Sequence, residues 1–193
     1  MPSEPEHSVL VGSLLGDACL TKNGRFYRVR FDHSIAATEY ALWKHAFLQH
    51  ICFEPRTVAV FDKRTSKHYH HIRFDTKSLP ELEWYGETFY PDGCKVVPSN
   101  VEPLLTELAL AVWYMDDGHR RTDCNALRLN THAFPRSDVE RLADALSNRY
   151  GIQAKLHQAG KSHWVLYIPS RSAVSFCEII RPYVPPCMGY KLL

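Results

Sequence analysis

Hydrophobic and polar residues along this chain repeat one order of helices and strands twice. Residues 8–19 and 108–118 are apolar on nearly every helical face, which predicts two buried helices. Each is followed by a strand in which basic and apolar residues alternate, at 25–32 in the first copy and 126–131 in the second. The same pattern in two long stretches indicates an internal duplication.

An amphipathic helix and a further pair of strands follow in each copy. The helices are predicted at 39–51 and at 137–150, where apolar residues recur at helical spacing. The remaining predicted elements are strands at 57–63, 68–75, 153–157 and 163–168 and a helix at 172–181. Each half of the chain, 1–99 and 100–193, thus has the same predicted order: helix, two strands, helix, two strands, helix. This order predicts an α+β fold.

Each of the two apolar helices ends in an aspartate, Asp17 in the first copy and Asp117 in the second. The C-terminal end of a helix carries the negative pole of its dipole and unpaired carbonyl oxygens, so a carboxylate there requires a neutralising cation. Two such helices packed side by side would also bring the carboxylates into repulsion. Hard oxygen ligands of this kind favour Mg²⁺ over Zn²⁺. A single aspartate is an ordinary helix end, and it is the repetition that favours a metal site.

The apolar helices differ in the residues available for close packing. Gly12 and Gly16 lie four residues apart on one face of the first helix, which permits the near approach of another backbone. The second helix has Val112 and Asp116 at the corresponding positions. The predicted packing between the helices is therefore asymmetric.

Both copies close on a related tail that contains a lysine. The first tail reads Tyr90-Pro-Asp-Gly-Cys-Lys95, and the second runs from Tyr183 to Lys191. The two lysines follow their aspartates at similar intervals. A lysine alone is weak support for catalysis, since most lysines are solvated surface residues, but the matching context favours a shared role.

Strand alternation separates a core face from a polar face. Arg28, Arg30 and Asp32 share the outer face of the first strand, and Arg128 and Asn130 that of its counterpart. Arginine pairs with guanine and asparagine with adenine in the major groove, so a mixed polar set suits base reading. The alternative is an ordinary solvated antiparallel sheet. The residues predicted to contact DNA are Arg25, Arg28, Arg30, Asp32, Lys63, Arg64, Lys67, His71, Arg73, Arg120, Arg121, Arg128, Asn130, Lys155, Lys161 and His163.

Composition adds modest constraints. A net charge of +2 is too small to indicate nucleic-acid binding by itself, so the distribution of charge matters more. The six cysteines form no CxxC pair, and the cluster His68-Tyr-His70-His71 lacks the partners of a zinc site. No apolar run reaches the roughly 18 residues that span a bilayer, and the polar start does not resemble a signal peptide. We expect no membrane partner and an intracellular location, in a prokaryote or an organelle.

Two segments resemble the paired motifs of LAGLIDADG homing endonucleases of the single-chain, two-motif type. They are Val11-Gly-Ser-Leu-Leu-Gly-Asp17-Ala and Leu110-Ala-Val-Trp-Tyr-Met-Asp-Asp117-Gly. The tails around Lys95 and Lys191 are similar to the lysine-bearing segments of that family. The resemblance extends over residues 8–193.

The resemblance implies two pseudo-symmetric αββαββα units, with the motif helices at the central interface and the sheets forming a saddle over DNA. It implies a monomer that binds a long asymmetric site and cuts both strands across the minor groove. Asp17 and Asp117 would hold Mg²⁺, with Mn²⁺ or Ca²⁺ as substitutes in vitro, and Ala18 and Asp116 complete the predicted metal set. The predicted catalytic residues are Asp17, Asp117, Lys95 and Lys191.

The chain departs from the family pattern at two places and leaves other functions open. The first motif ends in Gly16-Asp17-Ala18, and Asp116 stands where a small residue is usual. An RNA maturase that assists intron splicing is the main alternative, and a DNA-binding regulator or an unrelated globular protein are others. Retention of both aspartates and both lysines favours the endonuclease.

Overall fold

The structure is a computed structural model that describes residues 2–160 and 163–193. Across this part of the chain, none of the helices combines the length and apolar character that crossing a membrane requires. The elements follow the duplicated order predicted from the sequence. The first half contains α1 (Glu4–Leu15), β1 (Cys19–Asn23), β2 (Phe26–Ser34), α2 (Thr38–Leu48), β3 (Arg56–Asp62), β4 (Lys67–Asp75) and α3 (Glu83–Phe89). A short helix α4 (Val101–Leu104) joins it to the second half, α5 (Glu107–Asp117), β5 (Gly118–Arg120), β6 (Leu127–Asn130), α6 (Arg136–Tyr150), β7 (Lys155–Ala159), β8 (His163–Ile168) and α7 (Ser170–Ile180).

Each half contributes one antiparallel sheet of four strands. The strand orders are β1-β2-β4-β3 and β5-β6-β8-β7, so the two sheets share one topology. The predicted α+β fold of two αββαββα units is confirmed. In both sheets, one face packs on the helices and the other carries the polar residues.

The two motif helices, α1 and α5, pack against each other in the centre of the protein. Every residue of α5 from Leu108 to Met115 is buried, as is every residue of α1 from Ser8 to Leu15. A Cβ atom added to Gly12 would lie 2.4 Å from the carbonyl oxygen of Ala109. A Cβ atom added to Gly16 would lie 2.6 Å from the Cβ of Asp116. The contact is therefore asymmetric, with glycine backbone in α1 facing side chains of α5.

Local signals fix where these helices begin and end. The helix α1 starts before the apolar run because the Glu6 carboxylate accepts a hydrogen bond from the Ser3 backbone N–H (2.7 Å). The helix α5 starts after Thr106, whose hydroxyl accepts from the Ala109 N–H (3.1 Å). The helix α1 ends at Leu15, so Asp17 lies just beyond it, while Asp117 is the last residue of α5.

Candidate active site

The ends of α1 and α5 bring three acidic residues together between the two sheets. The backbone N–H of Asp17 points to Oδ2 of Asp116 at 3.4 Å. The Asp17 side chain is exposed at the edge of this site, yet the surrounding protein partly removes its hydration and, with the nearby charge of Asp116, raises its pKa. The pKa of Asp117 is raised to about 7 by burial, with repulsion from Asp17 and Asp116 adding to the shift. Loss of hydration and mutual repulsion therefore disfavour the charged forms of Asp17 and Asp117.

The two tail lysines lie at the ends of the motif helices. Lys95 Nζ donates to the carbonyl oxygens of Gly16 (2.6 Å) and Ala18 (3.2 Å). Lys191 Nζ donates to the carbonyl oxygen of Met115 (2.5 Å). Burial lowers the pKa of both ammonium groups, and the aspartates oppose that shift. The lysines therefore cap unpaired helix carbonyls and stand within electrostatic reach of the carboxylates.

A buried lysine from the first half holds Asp116. Lys44 Nζ lies 2.7 Å from both carboxylate oxygens of Asp116, and neither side chain is exposed. The Tyr40 hydroxyl donates to Oδ1 of Asp116 at 2.8 Å. Of the predicted metal ligands, Asp116 is thus occupied by an ion pair, and the Ala18 carbonyl accepts from Lys95.

Potential metal-donor atoms cluster at this site. Oxygens of Asp17 and Asp116 and a ring nitrogen of His33 lie within 4.8 Å of one another. Nε2 of His33 is buried and has no hydrogen-bond partner among the described residues. Burial, with help from the Lys44 charge, lowers the pKa of His33 to about 4, so the ring is neutral near pH 7. Raised carboxylate pKa values and an unpartnered neutral imidazole are features that a bound cation would satisfy.

Carboxylates organise the basic residues on the polar face of the first sheet. Arg30 Nε donates to Asp75 (2.7 Å), which also accepts from Arg56 (3.3 Å). Asp32 accepts from Arg73 (2.5 Å) and lies 2.8 Å from Nδ1 of His71, and these bonds lower the pKa of Asp32. The guanidinium groups are therefore held in fixed directions along the sheet.

The polar face of the second sheet has a different character. Arg128 pairs across the sheet with His119 and Tyr167, and the rings of His157 and Tyr167 stack with centroids 4.5 Å apart. Nε of Arg128 has no hydrogen-bond partner in the described part of the chain. Arg128 lines an open cleft of about 590 Å³ together with His119, Asn130 and His157. This surface is basic and aromatic, and no carboxylate of residues 2–160 or 163–193 pairs with Arg128 as Asp75 pairs with Arg30.

The remaining residues predicted to contact DNA lie on strands or in the loops that join them. Arg28 and Asn130 are on strands and half-buried, while Arg25 is exposed in the β1–β2 turn. Arg64 pairs with Asp62 (3.2 Å) and Arg121 with Asp123. The others in this group, all exposed, are Lys63, Lys67, Arg120, Lys155 and His163. Lys161 lies outside the described residues.

Comparison with known proteins assigns the chain to a family. The sequence model of the LAGLIDADG DNA endonuclease family matches residues 7–176. The chain belongs to this family. The motif resemblance seen in the sequence is thereby confirmed, and α1 and α5 are its two LAGLIDADG helices.

Relatives of this LAGLIDADG protein include endonucleases and maturases. It is 32% identical over 207 residues to DNA endonuclease I-ChuI of Chlamydomonas applanata, covering 98% of this chain and 95% of that protein. It is 30% identical over 190 residues to the cytochrome b mRNA maturase bI2 of Debaryomyces hansenii, covering 95% of this chain and 72% of that protein. Its fold matches that of the homing endonuclease I-WcaI, whose structure was solved bound to its DNA recognition sequence. The TM-score is 0.91 at 24% sequence identity, and the match covers 100% of this chain and 88% of that one.

Sequence reasoning missed the residues that surround Asp116 and the carboxylate that orients Arg30. Tyr40, Lys44 and Leu48 form one buried stripe of α2, so a lysine occupies a core position of an amphipathic helix. That pattern alone predicts a buried ammonium in need of a carboxylate partner. His33 and Asp75 gave no comparable signal, since polar residues on strands are common at the surface.

We expect the raised pKa of Asp117 to make Mn²⁺ binding at this candidate site dependent on pH. Below about pH 7 the carboxyl is mostly protonated and cannot act as a ligand, so Mn²⁺ affinity should fall roughly tenfold per pH unit. Above the pKa the affinity should level off. Calorimetric titration between about pH 5.5 and 8 measures this. In the variant Asp117→Asn, Mn²⁺ affinity should no longer fall with protonation of residue 117. A wild-type Mn²⁺ affinity that stays constant down to low pH would contradict the prediction.

Proposed function

We propose that this chain is a site-specific homing endonuclease that hydrolyses one phosphodiester in each strand of a long DNA target with Mg²⁺. The observation that carries the proposal is the convergence of Asp17, Asp117, Lys95 and Lys191 at the ends of two buried helices. Two four-stranded sheets with polar faces flank that point. The likeness to I-ChuI over nearly its full length supports the same activity.

The chain's own residues have distinct tasks in this proposal. Asp17 and Asp117 would hold the divalent cations, with His33 and Asp116 nearby. Such a cation, when bound, lowers the pKa of water and neutralises charge on the phosphate. Lys95 and Lys191 would stabilise negative charge on the phosphate oxygens, since their partly buried ammonium groups act where water screens little.

The two sheet faces would bind the duplex on either side of the cleavage site. The first face presents arginines fixed by Asp32 and Asp75, which suits hydrogen bonding to base edges. The second presents Arg128, Asn130 and stacked aromatic rings. A single chain supplies both sheets and both aspartates, so we propose that the monomer is the active form.

Selection from a DNA library tests the proposed function directly. Purified protein is incubated with randomised duplex DNA and Mg²⁺, and in parallel with EDTA. We expect cleavage of a narrow subset of sequences with Mg²⁺ or Mn²⁺ and none with EDTA. Cleavage in EDTA, or absence of any cut sequence at saturating protein, would overturn the proposal.

A splicing maturase is the second candidate, because the maturase bI2 matches 95% of this chain. In this case the protein would bind a folded intron RNA and accelerate its splicing. Splicing assays with candidate intron transcripts decide between the two. Faster splicing without DNA cleavage would favour the maturase, whereas DNA cleavage alone would favour the endonuclease.

Arginines on the sheet faces should determine base preference. We expect Arg30→Ala or Arg128→Ala to reduce discrimination at one or two base pairs by about 5- to 150-fold, the loss expected for a bidentate contact. Affinity for non-specific DNA should change far less, because other cations contact the phosphates. The control is Arg171→Ala, an exposed arginine on α7. Unchanged preference in a selection experiment would exclude direct readout by these side chains.

A further inference from the structure

The Asp116 carboxylate lies beside the candidate metal ligands, yet a buried cation of the protein already neutralises it. Lys44 Nζ is 2.7 Å from both of its oxygens, and both side chains are fully buried. Lys44 belongs to α2 of the first half, and Asp116 belongs to α5 of the second. The ion pair therefore connects the two halves directly beneath the active site.

Aromatic rings surround the ammonium group of Lys44. Its Nζ lies 4.8 Å from the ring centre of Tyr40 and 5.8 Å from that of Phe31, so aromatic faces enclose it. Tyr40 also donates its hydroxyl hydrogen to Oδ1 of Asp116 at 2.8 Å. A buried ammonium in an aromatic enclosure needs a carboxylate partner, and Asp116 provides it.

Asp116 has little acceptor capacity left for a divalent ion. A carboxylate offers about four lone-pair positions. Lys44 takes one on each oxygen and Tyr40 takes a further one on Oδ1. The last position on Oδ2 faces the backbone N–H of Asp17 at 3.4 Å. A divalent cation at Asp116 would have to displace the ammonium or lie next to it, and like charges at that distance repel strongly.

The same carboxylate fixes the chain segment that carries Asp17. A Cβ atom on Gly16 would lie 2.6 Å from Cβ and 2.7 Å from Oδ2 of Asp116, so the Gly16 backbone rests directly against this side chain. The following N–H, of Asp17, points at Oδ2. Movement of Asp116 would therefore shift the backbone on which the Asp17 carboxylate is mounted.

We infer that the Lys44–Asp116 ion pair is a positioning device, in which Lys44 takes the place of a metal at Asp116 and Asp116 fixes Asp17. The divalent cations are then left to Asp17 and Asp117. The metal role of those two residues rests on the proposed function, whereas the ion pair does not. The competing arrangement is a metal held jointly by Asp17, His33 and Asp116, whose donor atoms lie within 4.8 Å.

Four variants of the full chain separate these arrangements: Lys44→Met, Asp116→Asn, the double variant Lys44→Met with Asp116→Leu, and Asp17→Asn. Thermal unfolding is measured without metal, binding of Mn²⁺ alone by calorimetry, and cleavage and affinity on a selected DNA target. Each single change at the pair leaves a buried partner unpaired, so its Tm should fall by roughly 10 °C. The double variant replaces the pair by apolar side chains and should recover most of that loss.

The double variant gives the decisive readout because it is expected to fold. It should bind Mn²⁺ within about threefold of the wild type, whereas Asp17→Asn should bind at least about tenfold more weakly. Its cleavage rate at saturating DNA should nevertheless be about 100-fold lower, with unchanged DNA affinity, since Asp17 is no longer fixed. A purely structural pair would restore the cleavage rate together with the Tm.

Three results would overturn the inference. The first is that the double variant and Asp116→Asn lose Mn²⁺ affinity as strongly as Asp17→Asn, which would make Asp116 a ligand. The second is wild-type cleavage by the double variant, and the third is an unchanged Tm in both single variants. If the wild type itself neither binds Mn²⁺ nor cuts DNA, the proposed function fails and Asp17 has no metal to be positioned for. The Tm values would still show separately whether the ion pair exists.

Discussion

Replacement of Asp17 or Asp117 by asparagine should lower the rate of DNA cleavage by about 1,000-fold or more. In the proposed mechanism, either change removes an anionic ligand of a metal that would contribute several kcal/mol to the transition state, and each 1.36 kcal/mol is a factor of ten in rate. The affinity for the DNA target should stay within about threefold of the wild type, because the carboxylates do not attract phosphate. Single-turnover cleavage and gel-shift titration measure the two quantities.

Stability provides an independent check on these variants. The pKa of Asp17 and Asp117 is raised above the usual range of an aspartate, so at neutral pH the folded protein disfavours their charged forms. Asparagine removes that charge, and the metal-free variants should unfold at the same temperature as the wild type or higher. The control is Asp144→Asn, an exposed aspartate on α6 that should change neither rate nor stability. Wild-type cleavage by either active-site variant would rule out the proposed metal roles.

Replacement of Gly12 by alanine should disturb both stability and cleavage. The new methyl group would meet the Ala109 carbonyl oxygen at 2.4 Å and the Val112 Cβ at 2.8 Å. Backbone cannot rotate away as a flexible side chain can, so the helices α1 and α5 must move apart. Such overpacking costs about 1–3 kcal/mol of unfolding free energy. A displacement of about 1 Å at the proposed metal ligands can lower the rate by about 100-fold.

The neighbouring residue supplies the matched control for this prediction. Ser13 is fully buried on the same helix, and its hydroxyl has no hydrogen-bond partner within the described ranges. The variant Ser13→Ala removes one oxygen without adding volume, so stability and cleavage should stay close to those of the wild type. Denaturant unfolding and single-turnover cleavage compare the two variants. Equal behaviour of Gly12→Ala and Ser13→Ala would show that close packing at Gly12 is not required.

The duplicated order of helices and strands could be predicted from the sequence because it depends on local patterns of apolar and polar residues. Period-two alternation predicted strands such as 25–32, observed as β2 (Phe26–Ser34), and helical periodicity predicted 39–51, observed as α2 (Thr38–Leu48). The aspartates stood out because the same unusual context occurs twice in one chain. The start of α1 was harder to predict, because the hydrogen bond between Ser3 and Glu6 begins the helix before its apolar run.

The polar contacts that complete the site depended on residues distant in sequence. Asp75 lies on the polar face of the first sheet, yet it is buried because Arg30 and Arg56 approach it from neighbouring strands. Lys44 and Asp116 are 72 residues apart, and no local rule pairs them. Sheet register and helix packing choose such partners, and they exist only once the chain has folded.

The sequence by itself determined the order of elements, the buried pair of motif helices and the identity of the two aspartates, because periodicity and repetition are properties of the chain. The tertiary structure alone decided which charges meet. It placed Lys44 against Asp116, Lys95 and Lys191 at the helix ends, and a ring nitrogen of His33 within 4.8 Å of the Asp17 and Asp116 carboxylates. The reason is that electrostatic interactions depend on distance and burial in space, neither of which spacing along the chain specifies.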